Sequence, residues 1–384
     1  MPLFTGNISY STFLREYWRQ KPCLFRHACS DSLAKLDHCT STEQLLGLAC
    51  QDSVESRLIS SPAYDLRLGP FQLDTIPPGS LLMIQGLELH FDEINQLLID
   101  DFSFLPRWKI EDVMASMGHT GTSCGAHFDH YDVFLLQVSG KKEWRLDDGQ
   151  HSDQDLDHLA QVRLLEDFSA TLIENVGPGD ILYIPPGVGH WGIALDTSVT
   201  LSIGVRNPTL PELVSHIADR VMDTTDLTKT LDDYLQGPDG GITSGDIENL
   251  RHKLADNLLN PTLIADWYGS YLTEPREPEL IPAGREMSTE EVILLLSTRQ
   301  SIFCTLPTRL AFHENADEKK RMITIFINGE AIKCDLRVKP WMTALCNLRR
   351  LQSADIPRDD DSIRLVKYLF SVGAINIVND EQTP

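Results

Sequence analysis

Between about residue 55 and residue 206 the chain is a succession of short apolar runs cut by Gly, Pro and Asp. The runs are Leu81-Leu82-Met83-Ile84, Trp108-Lys109-Ile110, Val133-Phe134-Leu135-Leu136-Gln137-Val138, Trp144-Arg145-Leu146, Ile181-Leu182-Tyr183-Ile184 and Thr200-Leu201-Ser202-Ile203. None is long enough for a buried helix, and their punctuation belongs to strands. Many short strands with frequent turns close into a sandwich or barrel. This pattern limits the fold of the first half more than any other feature.

Helical texture flanks the strands. Phe13 to Trp18 carries apolar residues at helical spacing, with Ser11 or Thr12 to cap it, and the helix should stop before Lys21-Pro22. Cys23-Leu24-Phe25 reads as a strand and Thr42 to Leu48 as a second helix. Leu213, Ile217 and Val221 repeat at helical spacing, as do Leu250–Leu259 and Leu263–Leu272. The proline-rich stretch from Thr273 to Pro282 reads as a linker. Beyond it, Ser288-Thr289-Glu290-Glu291 opens a helix, and Asn328-Gly329 between Ile323–Ile327 and Glu330–Ile332 is a tight-hairpin signal. Helices are expected near 342–352 and 362–371. The expected domains are thus 1–208, 209–282 and 283–384, the last winged-helix-like.

Two histidines and a carboxylate stand out within the strand region. In an extended strand, His127 and Asp129 point the same way. His190 ends the phrase Gly179-Asp180-Ile181-Leu182-Tyr183-Ile184-Pro185-Pro186-Gly187-Val188-Gly189-His190, at the mouth of another strand. Two histidines and one carboxylate on one side of a metal form the facial triad of non-haem Fe(II) oxygenases, with positions left open for a co-substrate and O2. A triad raised on such strands points to a double-stranded β-helix, the cupin-type jelly roll. Spacing alone leaves a rival pair, His130 with Asp132, on the opposite face. It also leaves the histidines readable as plain hydrogen-bonding groups at strand ends.

Alternation in Lys141–Leu146 puts Lys142 on the inward face with Trp144 and Leu146. An inward lysine is costly unless it is paired with an anion, such as a dicarboxylate, or snorkels at the barrel rim.

The balance of 33 Lys+Arg against 56 Asp+Glu, a net charge of −23, argues against binding to DNA, RNA or anionic membrane and suits a basic protein partner. The eight cysteines include no Cys-x-x-Cys pair, and neither a signal peptide nor a membrane-spanning run is evident, so a reducing cytoplasm is the expected location.

At Phe13–Pro22, Phe104–Trp108, His127–Phe134 and Gly179–Gly187 the sequence resembles the JmjC-type 2-oxoglutarate oxygenases, above all the bacterial ribosomal oxygenases that hydroxylate an arginine of a large-subunit ribosomal protein. The resemblance implies an α+β fold: a JmjC double-stranded β-helix, a helical dimerisation region, and a C-terminal winged-helix-like domain. It implies that His127, Asp129 and His190 bind Fe(II), and it rejects the 130/132 pair. Lys142 stands where the family holds the distal carboxylate of 2-oxoglutarate and where the close bacterial relatives usually carry arginine. Ser116 matches a hydroxyl that contacts 2-oxoglutarate, and Tyr131 a residue near the substrate pocket. The implied protein is a cytoplasmic, homodimeric hydroxylase using Fe(II), 2-oxoglutarate and O2 on a basic ribosomal protein. The rivals are a JmjC hydroxylase of histidine or asparagine in another protein, and a non-catalytic cupin-like scaffold.

Overall fold

The computed structural model describes residues 8–205, 207–224, 241–258, 261–314 and 321–377. It divides into two units, Met1–Asn207 and Pro208–Pro384.

The first unit opens with α1 (Tyr10–Glu16), β1 (Cys23–Phe25), α2 (Leu33–Leu36) and α3 (Thr42–Ala49). Then follow β2 (Ser56–Ser60), β3 (Asp65–Leu68), β4 (Ser80–Ile84), α4 (Asp92–Asp100), β5 (Ile110–Gly118), β6 (Asp132–Ser139) and β7 (Lys142–Gln150). The unit ends with β8 (Leu172–Val176), β9 (Ile181–Ile184), β10 (Val188–Ala194) and β11 (Ser198–Val205). The large sheet runs β1-β9-β6-β11-β5-β4-β2-β3, and a smaller sheet runs β10-β7-β8. This is the expected double-stranded β-helix.

The apolar run Val133–Leu136 of β6 is covered on both faces. Val133 and Leu135 pack with Trp144, Leu146, Val176 and Leu182. Phe134 and Leu136 pack instead with Phe13, Phe25 and other residues of the N-terminal segment. Phe13 meets the Tyr183 ring edge-on at 5.0 Å, and Trp18 stacks on it at 5.6 Å. Phe13 and Trp18 thus anchor the N-terminal segment on the strands.

Two local expectations fail. Ser9, not Ser11 or Thr12, caps α1, its hydroxyl accepting from Thr12 N at 3.1 Å. Arg107–Lys109 form one turn of 3-10 helix, so the strand starts only at Ile110.

The second unit begins with α5 (Leu210–Thr224), α6 (Ser244–Leu258) and α7 (Pro261–Thr273). Parts of the expected helical region, 225–240 and 259–260, lie outside the described residues. Then come α8 (Thr289–Leu296), β12 (Ser301–Cys304), β13 (Leu310–Glu314), β14 (Met322–Ile327), β15 (Glu330–Asp335), α9 (Lys339–Leu348), β16 (Arg350–Gln352), α10 (Asp360–Ser371) and β17 (Ile375–Ile377). Ser288 and Glu291 close a capping box at α8. The β14–β15 turn uses Asn328 at φ 50° and Gly329 at φ 90°, the two positive values such a turn demands. The boundary expected at 282 falls inside this unit. Helix α7 packs on β13–β15, where a Cβ on Gly269 would sit 2.2 Å from the Phe326 ring, and Thr273 Oγ1 accepts from Gly329 N at 3.1 Å.

Candidate active site

His127 and Asp129 do not stand on β6 as expected; they lie in the irregular segment just before it. Strand alternation therefore does not align them. Reciprocal main-chain hydrogen bonds do: His190 N donates to His127 O at 2.7 Å, and His127 N donates to His190 O at 3.0 Å. Gly187 N donates to Asp129 O at 2.8 Å, tying the second residue to the same loop. His190 itself lies within β10.

The result is a cluster. One ligand-type atom from each of His127, Asp129 and His190 lies within 4.8 Å of the other two, and His190 Nε2 is 3.6 Å from Asp129 Oδ2. His127 Nδ1 meets Gly125 O, and His190 Nδ1 meets Val188 O, both at 3.0 Å. A carbonyl oxygen only accepts, so each Nδ1 carries the hydrogen. Each Nε2 then keeps a lone pair when the ring is neutral, the form a metal ligand needs. Burial, helped by the positive charge of His127, lowers the His190 pKa to about 4, so its ring is neutral. At His127 burial works against the proton. It is outweighed by Cys124, whose Sγ is 3.8 Å from Nδ1, together with Asp129 and the Gly125 carbonyl, and the pKa rises to about 10. A divalent cation would take the place of that proton. The donor set of two imidazoles and one carboxylate, with no fourth His, Cys, Asp or Glu in the cluster among the described residues, fits a facially bound Fe(II).

The rival pair comes apart. His130 turns outward to Asp153, 3.0 Å away. Asp132 is fully buried on the other side, accepting from Tyr183 OH at 2.5 Å and Asn207 Nδ2 at 2.8 Å.

A cavity of about 390 Å³ is lined by all six residues singled out in the sequence, His127, Asp129, His190, Lys142, Ser116 and Tyr131. Lys142 is 4% exposed and does not snorkel. Its Nζ donates to Ser116 Oγ at 3.3 Å and Thr200 Oγ1 at 3.5 Å, and no carboxylate pairs with it among the described residues. Burial holds its pKa below the ordinary lysine value. The Thr200 hydroxyl proton goes to Gln137 Oε1 at 2.9 Å. The Ser116 hydroxyl, which accepts from Lys142, retains a proton to donate. A buried ammonium beside a free hydroxyl proton is suited to an incoming carboxylate. Trp144 also lines the cavity, and its buried Nε1 has no hydrogen-bond partner among the described residues.

Comparison with known proteins gives this architecture a family. Residues 96–213 match the JmjC domain, and residues 250–372 match the ROXA-like winged helix. The ribosomal protein uL16 3-hydroxylase of Escherichia coli is 28% identical over 298 residues, 74% of this chain and 77% of that one. A probable ribosomal oxygenase of Haemophilus influenzae is 31% identical over 219 residues, 55% of this chain and 53% of that one. The structure of the E. coli ribosomal oxygenase YcfD in complex with cobalt and succinic acid superposes with a TM-score of 0.80 at 25% identity, covering 98% of this chain and all of that one. The chain thus carries a JmjC domain followed by a ROXA-like winged helix. JmjC oxygenases are dioxygenases that use Fe(II), 2-oxoglutarate and O2.

Sequence reading missed two residues of this site. Thr200 pairs with Ser116 in the β11–β5 register and so reaches Lys142. Asp112, 9% exposed, lies in the cavity wall with Met114, Ser202 and Gly204. Parity could have found Asp112, because it shares with Ser116 the inward face of β5. Tyr131, at the cavity mouth, is 44% exposed. A Cβ built on Gly204 would lie 3.1 Å from Asp112 Oδ1 and 3.6 Å from Tyr131 Cε2, so the carboxylate and the ring face a gap that glycine keeps open.

Proposed function

We propose that the protein hydroxylates a cationic side chain, an arginine, of a large-subunit ribosomal protein in the cytoplasm. His127, Asp129 and His190 would hold Fe(II). With 2-oxoglutarate and O2, the bound iron would supply the oxidation that places one oxygen atom in a C–H bond while 2-oxoglutarate becomes succinate and CO2. Lys142 and Ser116 hold the distal carboxylate of 2-oxoglutarate, and Thr200 keeps the ammonium in place. Lysine here neutralises the carboxylate without the paired donors of the arginine usual in close bacterial relatives.

The observation that carries this reading is one cavity with three poles. It has a two-histidine, one-carboxylate cluster, a buried ammonium lacking an anion among the described residues, and the Asp112 carboxylate beside the Tyr131 ring. Asp112 is placed to receive a guanidinium and Tyr131 to pack on it, which favours arginine over a neutral asparagine. The net charge of −23 would draw a basic ribosomal protein by long-range attraction. Similarity to the uL16 3-hydroxylase and the ribosomal oxygenases supports that class of substrate.

The test is incubation of the full chain with Fe(II), 2-oxoglutarate, O2 and peptides from large-subunit ribosomal proteins. The expected result is succinate and a peptide heavier by one oxygen atom, mapped to an arginine by fragmentation. Oxygen found on a histidine or asparagine would replace the arginine assignment. Succinate without any modified peptide would remove the ribosomal substrate.

The second unit supports a homodimer. Leu210, Val214 and Met222 on α5, with Ile247, Leu250 and Leu254 on α6, are exposed. On α6 the three recur on one face, a stripe suited to a second copy of the chain. Light scattering should give twice the chain mass, and Leu250→Glu with Leu254→Glu should give the monomer.

A further inference from the structure

The ladder that delivers His190 is not regular. Val188 faces Gln150 while His190 faces Leu146, so the register slips and a single residue of β10, Gly189, opposes three of β7, Asp147, Asp148 and Gly149. Such a bulge turns a side chain out of the regular alternation and strands a main-chain N–H outside the ladder. Gly189 sits at the slip. Its N–H is taken by the Asp147 carboxylate, Oδ1 accepting from Gly189 N and from Gly149 N, each at 3.2 Å. The other oxygen, Oδ2, accepts from His151 Nε2 at 2.7 Å. The pair is largely enclosed, with Asp147 8% and His151 16% exposed at the side chain.

His151 reaches the remaining metal-site segments. Its N–H donates to Gly187 O at 2.7 Å, and Gly187 N in turn holds Asp129 O. Its ring lies nearly parallel to Phe128, centroids 6.1 Å apart and planes at 27°, and Phe128 separates His127 from Asp129 in the chain. The glycines are fitted to this arrangement. A Cβ on Gly189 would lie 2.4 Å from Asp147 Oδ2 and 2.9 Å from His151 Nε2. Gly187 takes φ 79°, and a Cβ there would meet Gln150 Oε1 at 2.8 Å.

We propose that Asp147 and His151 are positioning residues: together they hold the β7 bulge against Gly189 of β10 and thereby aim His190 at the metal. The proposal rests on the reading of His127, Asp129 and His190 as ligands. Neither residue is one of the three; they act through Gly189, Gly187 and Phe128, and the Asp147 charge also reaches His190. Outer partners that orient metal ligands typically change affinity by roughly 10–100-fold when removed.

The experiment is titration of the metal-free full chain with Co(II), followed by its ligand-field absorption, with no co-substrate present. Wild type should bind and His127→Ala should not; failure of that contrast would remove the ligand assignment itself, ahead of any conclusion about the bulge. Asp147→Ala should bind roughly 10–100-fold more weakly, with displaced absorption bands. Asp147→Asn keeps an acceptor for Gly189 N and should bind close to wild type. Leu36→Ala, a buried substitution in α2, should lower the melting temperature and leave Co(II) affinity and spectrum unchanged. If Asp147→Ala fails to fold, His151→Ala carries the test by the same affinity and band shift. The proposal is overturned if the Asp147→Ala or His151→Ala spectrum and affinity match wild type, if Asp147→Asn is as weak as the alanine variant, or if Leu36→Ala loses as much affinity.

Discussion

Replacing Lys142 with methionine should pull apart folding and co-substrate binding. Methionine nearly matches the lysine stem in length and carries no charge. In the protein as it stands, the ammonium is 4% exposed and its hydrogen-bond partners are two neutral hydroxyls at 3.3 and 3.5 Å. Burying a charge on those terms costs free energy, so Lys142→Met should leave the melting temperature of the unliganded chain unchanged or raise it. Binding should respond in the opposite direction. The distal carboxylate of 2-oxoglutarate would enter the same pocket with no cation to meet it. A buried charge left unpaired costs about 3–5 kcal/mol. At about 1.4 kcal/mol per factor of ten, affinity should fall by about two to three and a half powers of ten. Calorimetric titration of the Co(II)-loaded chain with 2-oxoglutarate measures this, with thermal unfolding of the unliganded chain alongside. An affinity within about tenfold of wild type would refute the assignment of Lys142 as the carboxylate anchor.

The depressed pKa of Lys142 gives a pH signature with a definite sign. Between its value in the fold and the ordinary 10.5, the unfolded chain holds a proton that the folded chain lacks. Stability of the unliganded chain should therefore gain from this residue as pH rises through that window, while 2-oxoglutarate affinity falls, and unfolding and binding series across alkaline pH check both. Asp112→Asn should raise the KM for an arginine peptide by roughly ten- to a hundredfold, from about 1.5–3 kcal/mol for a charge-assisted hydrogen bond, and shift the KM for 2-oxoglutarate far less. Tyr183→Phe removes the hydroxyl that donates to buried Asp132 at 2.5 Å and should cost about 1–3 kcal/mol in denaturant unfolding.

What the sequence made legible was whatever stood half-buried or tightly constrained. Lys142 could be assigned to the inward face because β7 alternates cleanly as far as Leu146. The β14–β15 turn and the α8 cap rest on residues with special backbone or hydrogen-bonding abilities, Asn328-Gly329 and Ser288 with Glu291. Strands β3 and β8 went unread because they lie at sheet edges and are largely exposed, which leaves no apolar pattern. Asp112 went unread for the reverse reason: β5 is buried along most of its length, which leaves parity with Ser116 as the one local pointer to it. His127 and Asp129 were found although the reason given for their alignment was wrong. Spacing marked them as partners, and a long-range pairing with His190 brings them together, which no local pattern encodes.

That pairing uses peptide groups alone. Its two hydrogen bonds run between the main chains at positions 127 and 190, and neither imidazole takes part. A descendant that lost both rings to substitution would thus keep the seam and the pocket walls around it. Catalysis in such a lineage could lapse without the shape collapsing, leaving an inert protein still able to grip what its ancestor oxidised.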